Sequence, residues 1–368
     1  MRLAISTGGG DAPGLNSVIR AATLAALRRG WTVVGVRDGF DGLMFPDRYG
    51  EAGTPTAGAF EFTRDMIRGI GHLGGTVLGS TNRGNPTAFP VQGPDGEWTT
   101  VDRTDELVGL FHQQGIEALI TIGGDGSLAI GHRLHGAGLR VIGVPKTIDN
   151  DLDMTEATFG FDTAVSVATE GIDRLFTTAT SHSRLFVVEV MGRYAGWIAL
   201  HAGLAAGAHG ILIPEIPFDL AAVAAMIRRR EERGARFAIV VVAEGAVPRD
   251  GARSVIGQSV GQAERLGGMG ALVAAELERL TGKEARTVVL GHLLRGGSPT
   301  ALDRLLGLRF GAAAVRAVEE GRDGVMVALR PPRVEFVPLA DAVSRLRTVP
   351  LDGDTVLAAR DLGISFGD

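Results

Sequence analysis

Residues 145–151 (Pro-Lys-Thr-Ile-Asp-Asn-Asp) place two carboxylates, an amide, a hydroxyl and an amine directly behind the apolar run 141–144, where a strand should end. Thr147 can donate a hydrogen bond to a phosphate, Asp149 can accept a proton from an attacking hydroxyl, and Asp151 can orient a metal ion or its water. Acids two positions apart in an extended segment face the same way. An Asx-rich turn without chemistry is the alternative explanation. The combination of residue types favours phosphoryl transfer.

Two glycine-rich turns follow other predicted strands. Residues 8–16 (Gly-Gly-Gly-Asp-Ala-Pro-Gly-Leu-Asn) end a strand and open a helix, whose free N–H groups attract anions; a plain strand-to-helix turn is the alternative. Residues 123–127 (Gly-Gly-Asp-Gly-Ser) form a second such loop. A carboxylate beside phosphate requires a divalent cation between them, so Asp125 is a candidate Mg²⁺ ligand, or else a cap of the next helix. The sequence contains no His-Glu-x-x-His motif and no cysteine that would indicate zinc.

Arginines gather near the later strand ends, and guanidinium groups bind phosphate bidentately and stabilise a transferring phosphoryl group. The candidates are Arg83, Arg184, Arg193, Arg286 and Arg295. A solvated or salt-bridged surface position is the alternative for each of them. Glu244 ends the apolar run 237–243 and suits hydrogen bonds to sugar hydroxyls, or a buried ion pair. His292 suits hydrogen-bond donation rather than base catalysis, because Asp149 already has that role.

The elements that must position these groups alternate between short apolar strands and amphipathic helices. Strands are predicted at residues 3–6, 31–36, 118–122, 141–144, 185–190, 211–213, 237–243 and 287–290. Helices are predicted at residues 16–29, 104–115, 161–177, 220–233, 268–281 and 303–319. This alternation predicts largely parallel sheets flanked by helices, which bind ligands at the carboxyl ends of their strands. A first domain boundary is expected within 160–185, and surface loops or a small hairpin at 51–56 and 93–104.

The composition bounds the possible functions. The chain has 368 residues, of which 45% are hydrophobic, so it can form two domains with a cleft between them. A net charge of −5 without long basic runs argues against a nucleic-acid or membrane surface and for a small ligand. The absence of cysteine excludes disulfides and thiolate chemistry. Since neither a signal-peptide pattern nor an 18-residue apolar stretch is present, we expect a soluble, cytoplasmic protein.

The same segments resemble the phosphofructokinase family. The matching segments, in the family's order over about residues 1–310, are 9–16, 123–127, 147–151, 191–193 (Met-Gly-Arg) and 291–299. The resemblance implies an α/β fold of two Rossmann-like domains, with largely parallel sheets flanked by helices and an active site in the cleft between them. We expect residues 1–160 plus about 294–345 to bind the phosphoryl donor. The sugar phosphate would bind to residues 161–293 plus about 346–368.

The resemblance further implies phosphorylation of fructose 6-phosphate at its 1-hydroxyl to give fructose 1,6-bisphosphate, a step of glycolysis. Asp149 would be the base, with Thr147 assisting and Arg193 beside the reacting phosphate. The donor would be bound by Gly10, Arg83, Gly84, Gly124, Asp125, Gly126 and Ser127, with Asp125 serving Mg²⁺. The sugar phosphate would be bound by Thr147, Ile148, Asp149, Met191, Gly192, Arg193, Glu244, His292, Leu293, Leu294 and Arg295. Arg184 and Arg286 would reach the sugar phosphate of a neighbouring subunit in a homodimer or homotetramer.

Two positions bear on the donor, and they disagree. Family members that use ATP carry glycine after the loop aspartate, as at Gly126, whereas strict pyrophosphate users carry aspartate, whose bulk and charge would collide with the α-phosphate of a nucleotide. Lys146 stands where pyrophosphate users carry lysine and the best-known bacterial ATP users carry glycine. The combination resembles the family's mixed-substrate group. Because steric exclusion is harder to evade than an extra charge is to tolerate, we favour ATP, with pyrophosphate as the alternative.

Two other classes of function remain open. A lipid or NAD kinase with a Gly-Gly-Asp-Gly loop would explain residues 123–126 but not 147–151 or the arginines. A non-catalytic subunit that binds sugar phosphate is disfavoured by the intact Asp125, Asp149 and Arg193.

Two further expectations concern regulation and the C-terminal part. The allosteric bacterial members carry arginines where this chain has Leu24 and Phe176, which predicts weak or absent responses to ADP and phosphoenolpyruvate. Residues beyond about 330 match the family poorly, and we expect of them only a surface or subunit-contact role.

Overall fold

The strands and helices predicted from the sequence are present, with ends that differ by a few residues. The computed structural model describes residues 1–81, 83–257 and 265–368. Its strands are β1 (Arg2–Thr7), β2 (Thr32–Val36), β3 (Ala59–Glu61), β4 (Phe89–Gln92), β5 (Trp98–Val101), β6 (Ala118–Gly123), β7 (Val141–Pro145), β8 (Leu185–Val190), β9 (Gly210–Leu212), β10 (Ala238–Ala243), β11 (Val255–Gly257), β12 (Arg265–Leu266), β13 (Ala285–Val289), β14 (Val325–Arg330) and β15 (Arg333–Pro338). Its α-helices are α1 (Leu15–Leu27), α2 (Asp41–Met44), α3 (Thr104–Gln113), α4 (Asp125–Gly136), α5 (Phe161–His182), α6 (Trp197–Ala205), α7 (Leu220–Glu232), α8 (Met269–Thr281), α9 (Ala301–Glu319), α10 (Leu339–Ala342) and α11 (Asp354–Asp361).

The larger sheet has the strand order β15-β14-β7-β6-β1-β2-β3. The strands from β14 to β2 run parallel, and the edge strands β3 and β15 pair antiparallel to their neighbours. Residues of β1 alternate between two apolar clusters: Leu3 and Ile5 pack with α1 and α9, whereas Ala4 packs with α3 and α4. Because helices cover both faces, β1, β6 and β7 are buried at nearly every position.

The smaller sheet has the order β13-β8-β10-β9, with all its strands parallel. The apolar residues of β8 and β10 are buried on both sides, against α5 and α6 on one face and α7 and α8 on the other. Two largely parallel sheets, each flanked by helices, confirm the predicted α/β fold class.

Within the described residues, three stretches of chain cross between the lobe of the larger sheet and the lobe of the smaller sheet. The first includes α5, which is 22 residues long and therefore spans about 33 Å. Its predicted end at residue 177 is wrong, because the Thr- and Ser-rich stretch 177–182 continues the helix. The second crossing precedes α9, which packs against α1 of the larger lobe. The third follows α10 and returns the C-terminal residues to the smaller lobe, where Ser365 pairs with Gly210.

The role expected of the residues beyond 330 is wrong. β15 pairs with β14 and forms an edge of the larger sheet. Val337, Leu339, Val349 and Phe366 are buried among the core residues of the two lobes. The stretch 93–104 contains β5, which forms a hairpin with the preceding strand β4. Within the described ranges, no helix is long and apolar enough to cross a membrane.

Candidate active site

The carboxyl ends of β1, β6 and β7 meet at one edge of the larger sheet, because the three strands are parallel neighbours. The loops that follow them line a cleft of about 480 Å³, to which the smaller lobe contributes Arg193 and Tyr194. Of the predicted site residues, the cleft is lined by Gly10, Arg83, Gly84, Gly124, Asp125, Gly126, Ser127, Lys146, Thr147, Asp149, Arg193 and Arg295. The groups predicted to handle phosphate thus share one cavity.

The loop after β7 is closed by hydrogen bonds among its own buried side chains. The Asp149 backbone N–H donates to Thr147 Oγ1 at 3.0 Å. The Thr158 backbone N–H donates to Asn150 Oδ1 at 3.0 Å, and the Thr158 hydroxyl donates to the Thr147 carbonyl at 2.7 Å. Asn150 has a φ of 52°, in the left-handed region that Asn tolerates better than most residues. These contacts hold the backbone on both sides of Asp149.

The surroundings of Asp149 suit a general base. Burial raises the pKa of Asp149, and the Arg295 guanidinium opposes this rise; Glu244 adds to it, and Arg193 also opposes it. Among the described residues, neither Asp149 Oδ1 nor Arg193 Nη1 has a hydrogen-bond partner, although both atoms are buried. Buried polar atoms are usually paired, so these two atoms are candidates to contact a substrate. Burial, with the charge of Asp149, raises the pKa of Asp151 to about 7.

Lys146 supports the first glycine-rich loop. Its side chain is 3% exposed, and Nζ donates a hydrogen bond to the Gly10 carbonyl. Arg295 Nη1 donates to the Asp11 carbonyl at 3.0 Å, so two cations hold this loop. Burial lowers the pKa of Lys146 to about 8, helped by Arg295 and opposed by Asp11. The amine is therefore engaged with the protein's own backbone.

Gly126 leaves the second loop open towards the cleft. A Cβ built on Gly126 would have no atom within 4 Å, whereas one on the neighbouring Gly123 would lie 2.2 Å from Ser127 Cβ. The same cleft is lined by the apolar side chains of Phe40, Pro86 and Ile130. A donor with a flat organic group beyond its phosphates therefore finds apolar surface there.

The fit to Mg²⁺ rests on Asp125. Its carboxylate is exposed at the start of α4 and lines the cleft. Among residues 1–81, 83–257 and 265–368, no group of three or more His, Asp or Glu side chains could hold a metal ion alone. Mg²⁺ commonly takes one or two carboxylates, with waters and substrate phosphates as further ligands, so a lone Asp125 fits it.

The turns after β8 and β10 bring Arg193 and Glu244 close to each other. The Glu244 N–H donates to the Val190 carbonyl at 2.9 Å, and the Gly245 N–H donates to the Gly192 carbonyl at 3.0 Å. A Cβ on Gly245 would lie 2.0 Å from the Arg193 carbonyl oxygen, so this close approach requires glycine. Burial raises the pKa of Glu244, which Arg193 opposes. Glu244 and Arg193 are thus electrostatic neighbours beside Asp149.

Several predicted residues do not line the cleft. Ile148, Met191, Gly192, Glu244, His292, Leu293 and Leu294 are absent from its wall. Ile148 and Leu294 are fully buried, whereas Leu293 is 67% exposed in the 3-10 helix Gly291–Arg295.

Arg184 and Arg286 lie at the other end of the smaller sheet. Arg184 precedes β8, and Arg286 is the second residue of β13, next to Phe186 of β8. Both guanidinium groups pair with Glu284, that of Arg184 at 2.7 Å. Because Arg193 follows the carboxyl end of β8, the length of this strand, about 17 Å, separates the two arginines from it. They do not join the cleft of their own chain.

Sequence reasoning missed Phe40, Asp41 and Tyr194, which all line the cleft. Phe40 and Asp41 come shortly after β2, and the strand-end argument applied to that predicted strand would have found them. Tyr194 directly follows the Met-Gly-Arg segment. A second cavity, of about 500 Å³, is lined by Trp197, Leu306 and Asn150, but by none of the residues predicted to bind phosphate.

Comparison with known proteins agrees with this geometry. Residues 2–318 match the family model described as Phosphofructokinase. The chain belongs to the phosphofructokinase family. Over 367 residues it is 51% identical to an ATP-dependent 6-phosphofructokinase of Chloroflexus aurantiacus, covering 100% of this chain and 98% of that protein.

Two other similar proteins are named for pyrophosphate rather than ATP as the donor. A pyrophosphate–fructose 6-phosphate 1-phosphotransferase of Amycolatopsis mediterranei is 47% identical over 359 residues, covering 96% of this chain and 97% of that protein. A pyrophosphate-dependent phosphofructokinase structure from Nitrosospira multiformis superposes with a TM-score of 0.79 at 21% identity, covering 100% of this chain and 92% of the other. At that identity the structural likeness shows the phosphofructokinase fold and nothing about the donor.

Proposed function

We propose that this protein transfers the γ-phosphoryl group of Mg-ATP to the 1-hydroxyl of fructose 6-phosphate, giving fructose 1,6-bisphosphate and ADP. The observation that carries the proposal is the shared cleft of Asp149 and Arg193 with the two glycine-rich loops. Asp149 Oδ1 and Arg193 Nη1 are buried there without partners in the described chain, so one acceptor and one donor are directed at a substrate. The names of the close relatives in the family support the same reaction.

The residues then have distinct roles. Asp149 accepts the proton of the 1-hydroxyl while the hydroxyl oxygen bonds to the γ-phosphorus. The bond from that phosphorus to the bridging oxygen breaks, and its electron pair leaves with ADP. Arg193 donates hydrogen bonds to the oxygens of the transferring group, on which negative charge is spread. Burial raises the pKa of Asp149 towards the operating pH, as suits a base, while Thr147 and Asn150 keep the loop closed.

The larger lobe would hold the donor. The backbone N–H groups of Gly10 and of residues 124–127 would surround the phosphates, with the N-terminus of α4 behind the second loop. Asp125 would hold Mg²⁺, which when bound neutralises phosphate charge. Arg83 and Gly84 line the same cleft as these two loops.

Two observations favour ATP over pyrophosphate. The space at Gly126 admits the α-phosphate of a nucleotide, and Phe40, Pro86 and Ile130 offer apolar surface for its base. Lys146 Nζ donates a hydrogen bond to the Gly10 carbonyl, so a lysine at this position does not by itself indicate pyrophosphate as the donor. Pyrophosphate is the second candidate donor, because the Amycolatopsis relative is named for it.

The smaller lobe would hold the sugar phosphate through Glu244, His292 and the turn at residues 191–193, and Arg295, at the start of the returning donor-lobe segment, would also bind it. Arg184 and Arg286 lie about one strand length from their own cleft, which supports their contribution to a neighbouring subunit's site. The active enzyme would then be a homodimer or homotetramer. In this proposal the donor lobe comprises residues 1–160 and about 294–345, and the sugar lobe comprises 161–293 and about 346–368.

The test is a paired assay of purified protein with fructose 6-phosphate and either Mg-ATP or Mg-pyrophosphate at matched Mg²⁺. We expect fructose 1,6-bisphosphate from Mg-ATP and none when Mg²⁺ is chelated. Turnover with pyrophosphate alone would refute ATP as the donor. Phosphorylation of NAD⁺ or diacylglycerol in place of the sugar would refute the acceptor.

A further inference from the structure

The segment that follows α10 crosses directly behind the loop that bears Asp149. Residues 346–349 (Leu-Arg-Thr-Val), called here the C-terminal strap, pair with that loop through a bridge between Leu346 and Leu152. The Arg347 N–H donates to the Asp151 carbonyl at 2.8 Å. The strap is therefore bonded to the backbone two residues beyond Asp149.

The Arg347 side chain adds a second attachment to the same loop. Its Nη1 donates to the Glu156 carbonyl at 2.8 Å, and its Nη2 donates to Glu156 Oε1 at 3.3 Å. Its side chain is 20% exposed, and burial lowers the pKa of the Arg347 guanidinium, with Glu156 opposing. A partly buried guanidinium that keeps two directed hydrogen bonds fixes its partners more tightly than a fully exposed ion pair does.

The other side of the strap is bonded to the smaller lobe just beyond Arg193. The Arg347 guanidinium lies over the Trp197 ring at 4.6 Å, and Trp197 Nε1 donates to the Arg347 carbonyl at 3.0 Å. Glu215 accepts a hydrogen bond from the Val349 N–H at 2.8 Å and others from the Gly196 N–H at 3.1 Å. Gly196 and Trp197 are three and four residues beyond Arg193 along the chain.

We propose that the C-terminal strap sets the position of Asp149 relative to Arg193, and that Arg347 is a positioning residue for phosphoryl transfer. The base and the arginine belong to loops of different lobes, and the strap bonds to both loops within a few residues of each. Misplacement of a catalytic group by about 1 Å costs up to roughly 100-fold in rate, so a link of this kind affects turnover before it affects binding. This inference rests on the proposed function, because it concerns the same two side chains.

Arg345 provides a matched control in the same segment. It also pairs with the loop, through Asp153, but its side chain is 75% exposed. Exposed pairs of this kind contribute little. Arg345→Met therefore removes one charge and one loop contact from the same stretch of chain, without a buried hydrogen bond.

The kinetic test compares Arg347→Met, Arg347→Lys and Arg345→Met with the wild type. We expect Arg347→Met to lower kcat at least 10-fold, with the KM for both substrates within threefold. Arg347→Lys keeps the charge and should recover part of kcat, and Arg345→Met should stay within twofold of the wild type. Equal kcat for Arg347→Met and Arg345→Met would overturn the proposal.

Hydrogen exchange provides a readout that needs no turnover. Amides of residues 147–158 should exchange at least 10-fold faster in Arg347→Met than in Arg345→Met, while those of β1 stay unchanged. Equal protection of residues 147–158 in both variants would overturn the proposed role of the strap, whether or not the wild type is active. A wild type that phosphorylates no fructose 6-phosphate from either donor would refute the proposed function, and the exchange comparison would still decide whether the strap holds the loop.

Discussion

The substitution Gly126→Asp tests how the second glycine-rich loop selects its donor. Residue 126 is exposed and lies in the first turn of α4, and a Cβ there meets no atom within 4 Å. An acidic side chain in the first turn of a helix is stabilising by about 0.3–1 kcal/mol. The variant should therefore fold as the wild type does, so that a loss of activity reports on the ligand.

The size of the effect follows from the charge that the new side chain brings into the cleft. Two like charges 4 Å apart at an effective dielectric constant of about 20 repel by about 4 kcal/mol, and by about 2 kcal/mol at 8 Å. These energies correspond to a kcat/KM for Mg-ATP that is roughly 30- to 1,000-fold lower. Pyrophosphate has no nucleotide beyond its two phosphates, so its use should fall less, and the ratio of the two activities should shift towards pyrophosphate.

The assay measures kcat/KM for Mg-ATP and Mg-pyrophosphate with saturating fructose 6-phosphate. Gly126→Ala controls for the loss of glycine, and Gly126→Asn for the bulk of the side chain without its charge. An Asp variant that keeps kcat/KM for Mg-ATP within threefold of the wild type would refute the steric and electrostatic argument for ATP. Lys146→Gly in the same assay shows whether the buried amine contributes to the choice.

Three further outcomes follow from the structure. Asp149→Asn should lower kcat by roughly 1,000-fold with little change in KM, measured by steady-state kinetics, because the amide cannot accept the proton; a tenfold loss or less would contradict its role as base. Burial lowers the pKa of Lys146 from its ordinary value of 10.5 to about 8 in the folded protein. Between these two pH values the unfolded chain binds more protons at Lys146 than the folded protein does, so the stability due to this residue rises with pH. We therefore measure the free energy of unfolding of the wild type and of Lys146→Met by urea denaturation at several pH values. Between pH 8 and pH 10, the wild-type value should rise by about 2 kcal/mol relative to that of the variant. If the two free energies change with pH in parallel, the burial effect is contradicted. Finally, the variants Asp149→Asn and Arg286→Met should each be nearly inactive alone. When the two are mixed and allowed to exchange subunits, up to about a quarter of wild-type activity should return, because one kind of site in the mixed oligomers then has both intact residues. No recovery would contradict the sharing of sites across subunits.

The fold and the composition of the cleft were largely predictable from the sequence. β8 was predicted with its observed ends, and the other predicted strands were found within about two residues. Such strands are buried on both faces, which makes their residues continuously apolar and easy to detect. The glycine-rich turns and the segment 147–151 follow parallel neighbours, so their convergence needed only the strand order.

What could not be predicted depends on contacts between residues distant in sequence. The Thr147–Thr158 bond closes the loop after β7 from a residue of ordinary type. The strap lies about 200 residues after that loop, and an arginine at position 347 has no local signal that distinguishes it from the exposed Arg345. β14 was not predicted although residues 325–329 are apolar, because no motif follows them.

The position of β14 beside β7 has a consequence for biosynthesis. As the chain leaves the ribosome, β7 can pair with β6 at once, but its other neighbour is made about 180 residues later. At bacterial or slower elongation rates this interval lasts roughly 10 to 35 s, during which a fully apolar strand presents an unpaired edge to the crowded cell. The strand that precedes the Asp149 loop therefore gains its second neighbour only after every residue known to line the cleft has been made.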